Sequence, residues 1–159
     1  MRSSVDVHNY LLERDVPHEV VLARGRLRSP DQMAAVLDLS ETDVGRVIVF
    51  EGNDRPLAVV VPAGSEADPV RVGKAAGQSS VQPADEARAS DLTGYLPEAI
   101  PPAGLPAEFQ VLIDESMARE DVLYFPGGEP HAVLKVRGSD LVRAAGAKVA
   151  ALVFNWPGE

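Results

Sequence analysis

The chain has no cysteine. This excludes disulfides, a thiol nucleophile and thiolate-bound metal, and makes a reducing, cytoplasmic location the expectation. Histidine is also scarce. His8, His18 and His131 lie far apart with no ligand-spaced pair, so no metal is expected. No apolar run approaches the ~20 residues that cross a bilayer. The start, Met1-Arg2-Ser3-Ser4-Val5-Asp6, reaches an acid with no apolar stretch, so neither a membrane partner nor a secretory signal is expected. There is no glycine fingerprint for a dinucleotide, no P-loop and no G-x-S-x-G elbow, and no cofactor is expected. Basic residues are outnumbered 15 to 24, for a net charge of -9. Affinity for nucleic acid comes mainly from Lys and Arg on phosphates. DNA binding is therefore not expected, and any RNA contact should be confined to a small local site.

What is present suits an ordinary globular protein: 159 residues, 45% hydrophobic and 25% charged. The length predicts one domain over residues 1–159. Helical spacing of Val7, Leu11 and Leu12 after Ser4 predicts a helix over 4–14. Strands follow from HEVVLA at 18–23, RVIVF at 46–50 and PLAVVV at 56–61, the last two joined as a hairpin by the 51–54 turn. Ser29-Pro30-Asp31-Gln32 predicts a capped helix start, and Asp68-Pro69 a helix ending at Gly77. A short helix is expected over 83–89. Strands are expected at 109–113, 122–125, 131–136 and 147–154, with a helix capped by Ser139 over 140–145. Helices alternate with strands early and hairpins come later. The reading is a mixed α/β (α+β) domain around one partly closed sheet.

One stretch stands apart: Thr93-Gly94-Tyr95-Leu96-Pro97-Glu98-Ala99-Ile100-Pro101-Pro102-Ala103-Gly104. Its prolines fix φ and remove N–H donors. It should be a stiff, preset loop of the kind that carries binding groups, or else a plain connector. Arg46, entering a strand, can hold a phosphate or carboxylate in bidentate fashion, or can pair with Asp43 or Glu51. His131 follows a Gly-Gly turn with Glu129 two residues before it. It can donate to a substrate or shuttle a proton, or it can bond a neighbouring carbonyl. Arg24, Arg26 and Arg28 form the only basic cluster, and Ser116 beside Asp114 reads as a cap.

Three stretches taken together add a resemblance: LSETDVGRVIVF (39–50), LTGYLPEAIPPAG (92–104) and the run from VLIDES to VLYFPGGEPHAVLKV (111–136). In order and spacing the chain resembles the YbaK family of aminoacyl-tRNA editing domains over about residues 15–152. That family includes free-standing deacylases and the editing insertion of bacterial prolyl-tRNA synthetases. The resemblance implies a barrel-like mixed sheet with surrounding helices. It also implies hydrolysis, in trans and without a metal, of an amino acid wrongly esterified to tRNA. The implied partners are the aminoacyl-tRNA 3′ end and an aminoacyl-tRNA synthetase. Carried over position by position, it assigns catalytic roles to Arg46, His131 and Gly94. It assigns substrate contact to Thr93, Tyr95, Glu98, Ala99, Ile100, Pro101, Gly127 and Gly128. Two positions depart from the family pattern: Arg46 stands where the family has lysine, and Glu98 where its G-x-x-x-P loop has glycine. These departures motivate an alternative reading, a catalytically impaired module that binds a small ligand or a synthetase.

Overall fold

A computed structural model describes residues 1–40 and 42–154. The chain begins with helix α1 (Ser4–Glu13), whose cap is Ser3, not Ser4. Ser3 is extended, and its own N–H donates to the Asp6 carboxylate at 2.7 Å, so the capping box forms one residue earlier than expected. The hydroxyl of Ser4 is used instead on Glu129. Val7 and Leu11 are buried, whereas Leu12 points outward. Strand β1 (His18–Leu22) follows, then α2 (Pro30–Val36). Ser29 caps α2 by accepting from the N–H of Gln32, while the Gln32 amide oxygen accepts from Arg28 rather than closing back on Ser29.

Strands β2 (Gly45–Gly52) and β3 (Leu57–Pro62) form the expected antiparallel hairpin, with Arg46 opposite Val61. β2 runs two residues further than its apolar core suggests. It does so because β4 (Val81–Pro83) pairs along its outer side, with Phe50 opposite Pro83. Helix α3 (Pro69–Ala76) lies between them, capped by Asp68 and ended by left-handed Gly77. The helix expected over 83–89 is displaced. Pro83 ends an edge strand, where its missing N–H costs nothing. Asp85 then caps α4 (Glu86–Thr93) by accepting from the N–H of Arg88 at 2.8 Å. Strands β5 (Gln110–Asp114), β6 (Leu123–Pro126) and β7 (Ala132–Val136) follow. Helix α5 (Gly138–Ala145) starts without a side-chain cap, not at Ser139. Its first N–H donates to the Glu120 carbonyl, and a Cβ on Gly138 would lie 2.2 Å from the Met117 carbonyl oxygen. The final strand β8 is short (Lys148–Ala150), followed only by a bridge from Val153 to Ala67.

Where one partly closed sheet was expected, the described residues form two. Their orders are β1-β7-β6 and β4-β2-β3-β5-β8, linked through a bridge between Val44 and Tyr124. β3 is the axis of the larger sheet, antiparallel to β2 and parallel to β5. It is buried on both faces, as its unbroken apolar run requires. Ala58 and Val60 join the main core with Leu11, Phe125, Leu134 and Leu141, while Leu57, Val59 and Val61 pack with Val72 of α3 and Leu152. Helix α2 covers Val133 of the smaller sheet through Met33 and Ala34.

The proline-rich segment is tied to this core at both ends. Gly94 ends α4 in the left-handed region, at φ 80°. Tyr95 then turns inward, fully buried, and its hydroxyl donates to the Gly104 carbonyl at 2.7 Å. Burial raises the Tyr95 phenol to about 12, with the positive charge of Arg2 opposing the shift.

Two outcomes follow from these contacts. A Cβ on Gly45 would lie 2.1 Å from a Phe125 ring carbon, so Gly45→Ala is expected to lower stability by about 1–3 kcal/mol in denaturant titration. Between pH 10 and about 12 the unfolded chain loses the Tyr95 proton while the folded chain keeps it, so this contribution to stability is lost as pH rises. Tyr95→Phe should flatten that alkaline decline. At neutral pH it should cost about 0.5–1.5 kcal/mol for the lost hydrogen bond, since Arg2 Nη1 still donates to the Gly104 carbonyl at 3.4 Å. Unfolding curves from pH 8 to 12 read both effects.

Candidate functional site

A cleft of about 450 Å³ opens between the proline-rich turn and the start of β2. One side is formed by Leu27 to Pro30 and Met33, leading into and along α2. The floor is Arg46 and Val47 of β2, and the far wall is Glu86 of α4 with Pro97, Glu98 and Ile100. Pro126 reaches it from the end of β6. Residues 97–99 form one turn of 3-10 helix with proline at its first position. A glutamate fits there because none of these three residues takes a positive φ.

Arg46 is the most constrained group in the cleft. One terminal nitrogen donates to the Ser65 carbonyl at 2.9 Å. Its Nε–H is buried and has no hydrogen-bond partner among the described residues. A buried donor left unmade costs about 1–3 kcal/mol. Arg46 nevertheless lines the cleft, so its guanidinium is a cation that a ligand there meets. Glu98 does not stand free, because its carboxylate pairs with Arg26 from the loop between β1 and α2. That loop is itself pinned: the N–H of Ala23 donates to the His131 carbonyl, and that of Leu27 to the Pro130 carbonyl.

The structure brings Arg46, Glu98 and Ile100 together, but the other sequence-nominated residues lie outside the lining. Thr93 is fully buried. Its hydroxyl donates to the Ala89 carbonyl at 2.8 Å and accepts from the N–H of Tyr95, so it serves the end of α4 rather than facing the cleft. Tyr95 is a core residue, and Ala99 and Pro101 are buried behind the turn. Gly94 accepts from the N–H of Arg2 at 2.8 Å. Gly127 donates to Ala132, and Gly128, at φ 96°, donates to the Ala99 carbonyl at 3.0 Å. The Gly-Gly turn thus braces the proline-rich turn from behind. A Cβ on Gly128 would lie 2.9 Å from the Ser3 backbone, so the N-terminal segment packs directly against this brace.

His131 precedes β7 rather than opening it and is absent from the lining, and Glu129 is held by Ser4 instead of orienting it. Ser116 is not the cap expected from the sequence: its hydroxyl and its N–H donate to the Asp114 carboxylate at 2.5 and 3.2 Å, so Asp114 caps this turn.

Sequence reasoning missed Leu27, Arg28, Ser29, Met33 and Glu86. The signal for the first group was the basic cluster itself. Three arginines in five residues of an acidic chain gain a purpose once the loop folds over the cleft. Neither Arg28 nor Arg46 has a carboxylate within salt-bridge distance, and neither does Glu86 a cation, among the described residues. With Arg26 and Glu98 cancelling, two guanidiniums and one carboxylate remain uncompensated, so the cleft is locally positive in a chain of net charge -9. No group of three or more His, Asp or Glu among the described residues is arranged to hold a metal. A wider groove of about 650 Å³ beside β1, β7 and α5 mixes acids and bases, Asp15 and Glu19 with Lys135 and Arg137.

Comparison with known proteins bears on the same segments. The sequence profile of the aminoacyl-tRNA editing domain matches residues 26–144, a span holding Arg46, the proline-rich turn and the β6–β7 hairpin. A proline–tRNA ligase of Leuconostoc mesenteroides subsp. mesenteroides is 31% identical over 98 residues. That alignment covers 62% of this chain and only 17% of the ligase. Among solved structures, a hypothetical protein superposes with a TM-score of 0.89 at 25% identity, covering 94% of this chain and 99% of its own. A protein described as a candidate trans-editing enzyme for prolyl tRNA synthetase has the same fold, with a TM-score of 0.84 at 21% identity over 96% of this chain and 97% of its own. By the extent of the profile match, the chain belongs to the aminoacyl-tRNA editing domain family, with a YbaK-like mixed α/β fold.

Proposed function

We propose that this protein is an aminoacyl-tRNA deacylase that removes a wrongly attached amino acid from tRNA in trans. The observation that carries this reading is the cleft itself, locally positive and walled by the proline-rich turn, with Arg46 and Arg28 in its lining and no carboxylate paired to either among the described residues. A tRNA 3′ end supplies the phosphate oxygens that Arg46 and Arg28 can receive. An arginine holds such oxygens through more than one N–H.

The chemistry follows from placement. With the phosphate held by the guanidiniums, the terminal ester lies along the 97–100 turn. Backbone N–H groups there can stabilise the oxygen that becomes negative when water adds to the ester carbon. The carbon–oxygen bond to the ribose then breaks, and the ribose oxygen takes the proton given up by the water. The products are a free amino acid and a tRNA with its hydroxyl restored. The protein contributes alignment and electrostatic stabilisation rather than a strong base. Arg26 has a supporting part in this scheme. By pairing with Glu98 it removes the net charge that a glutamate would otherwise present to an incoming phosphate. The brace from Gly128 to Ala99 keeps the turn at a fixed distance from β2.

The Arg26–Glu98 pair also favours a second reading, a module that binds without catalysing, because it ties the turn to a neighbouring loop. One set of assays separates the two. Hydrolysis of alanyl-, seryl-, cysteinyl- and prolyl-tRNA is expected to exceed the buffer rate for at least one ester, and no acceleration for any of them sinks the deacylase reading. Arg46→Ala should lower kcat/KM by roughly 10- to 100-fold with the thermal midpoint little changed, and added salt should raise KM. If deacylation appears only when Arg46→Lys and Glu98→Gly are combined, the binding module is the right description.

A further inference from the structure

Three charges in the cleft have no ion-pair partner among the described residues, and they differ in sign. Arg28 and Arg46 stand on the side of α2 and β2, and Glu86 stands on the first turn of α4. Glu98 adds an acceptor to the same wall, its charge offset by Arg26. Arg26 holds one of its oxygens, Oε1, while Oε2 has no hydrogen-bond partner among the described residues. A phosphate satisfies the guanidiniums alone. It leaves Glu86 facing the ligand with nothing to bind, and would be repelled by it. The ligand that satisfies the whole lining carries a cation on the side away from its phosphate.

An aminoacyl ester on a terminal nucleotide is such a ligand, since its α-amino group is an ammonium near neutral pH. Resting on the reading of this cleft as an ester-hydrolysing site, we infer that Glu86, helped by the free oxygen of Glu98, recognises the α-ammonium group of the substrate. The substrate class is then narrowed to esters with a free amine. Formylated or peptidyl esters, whose nitrogen is a neutral amide, fall outside it. Neither acid is required to accept a proton from water, so Glu86 is a binding residue and acts on substrate choice. Its place on the first turn of α4 suits this role. A negative side chain is favoured at the positive end of a helix, and the Asp85 cap fixes the turn that carries it.

The test uses pairs of substrates that differ in one group. Alanyl-, seryl- and cysteinyl-tRNA are each compared with the 2-hydroxyacyl-tRNA of the same side chain, in which a hydroxyl replaces the ammonium with little change of shape, and prolyl-tRNA with its tetrahydrofuran-2-carbonyl counterpart, in which a ring oxygen replaces the ring nitrogen. Each rate is divided by the rate in buffer, since the ammonium itself activates the ester. The native protein is expected to favour the free amine by about tenfold or more, the value of one charge-assisted contact. Glu86→Gln should bring that ratio toward one, chiefly through KM, and Glu86→Asp should restore part of it. Equal normalised rates for both members of every pair overturn the inference while leaving the deacylase reading intact. A preference that persists in Glu86→Gln also overturns it, and if neither member of any pair is hydrolysed both readings fail. The native comparison requires no variant to fold.

Discussion

The cleft depends on a phenol buried in the core. Tyr95 closes the proline-rich segment by donating to the Gly104 carbonyl, and its ring packs with Val7, Leu11 and Phe125. Without that anchor, a stretch containing three prolines would have a preset local shape but no fixed place. With it, the 97–100 turn projects from a point held by the main core, and Gly128 needs to add only one hydrogen bond at Ala99 to fix its height above β2. The residues nominated as substrate contacts and found buried, Thr93, Tyr95, Ala99 and Pro101, therefore hold the wall that others present to the ligand.

Charge is arranged with similar economy. An acidic chain keeps a positive cleft only with local cations and a way to quiet nearby acids. The loop between β1 and α2 supplies both: Arg26 quiets Glu98 and Arg28 enters the cleft. The pair is partly exposed, with side chains 56% and 25% accessible, so its direct contribution to stability is small. Its significance is the field it leaves in the cleft.

The order of elements was legible because each carries a local signal. The Asp68 cap and Gly77 stop framed α3, and the apolar runs marked β2 and β3. Failures came where tertiary pairing outweighed local preference. Pro83 looked like a helix start until β2 took it as an edge partner, and Gly138 began α5 because only a residue without Cβ fits against Met117. At the cleft, Arg46 was visible as a cation entering a strand, and the family resemblance drew attention to it, to Glu98 and to His131. Nothing local says which side of the β6–β7 turn faces inward, and it is Pro126 that lines the cleft. Met33 and Glu86 were visible only as a core residue and a helix-end acid, since nothing local distinguishes a lining residue from a packing one.

The N-terminal residues belong to the site without touching the ligand. Arg2 holds Gly94, the backbone at Ser3 packs on Gly128, and Ser4 holds Glu129. Gly94 opens the proline-rich segment, and Gly128 braces its turn from behind. A tag fused ahead of Met1, or a few residues trimmed from the start, therefore acts on the rear wall of the cleft. Preparations that differ only in that segment differ in how this wall is supported, and placing a purification handle becomes a choice about the shape of the cleft.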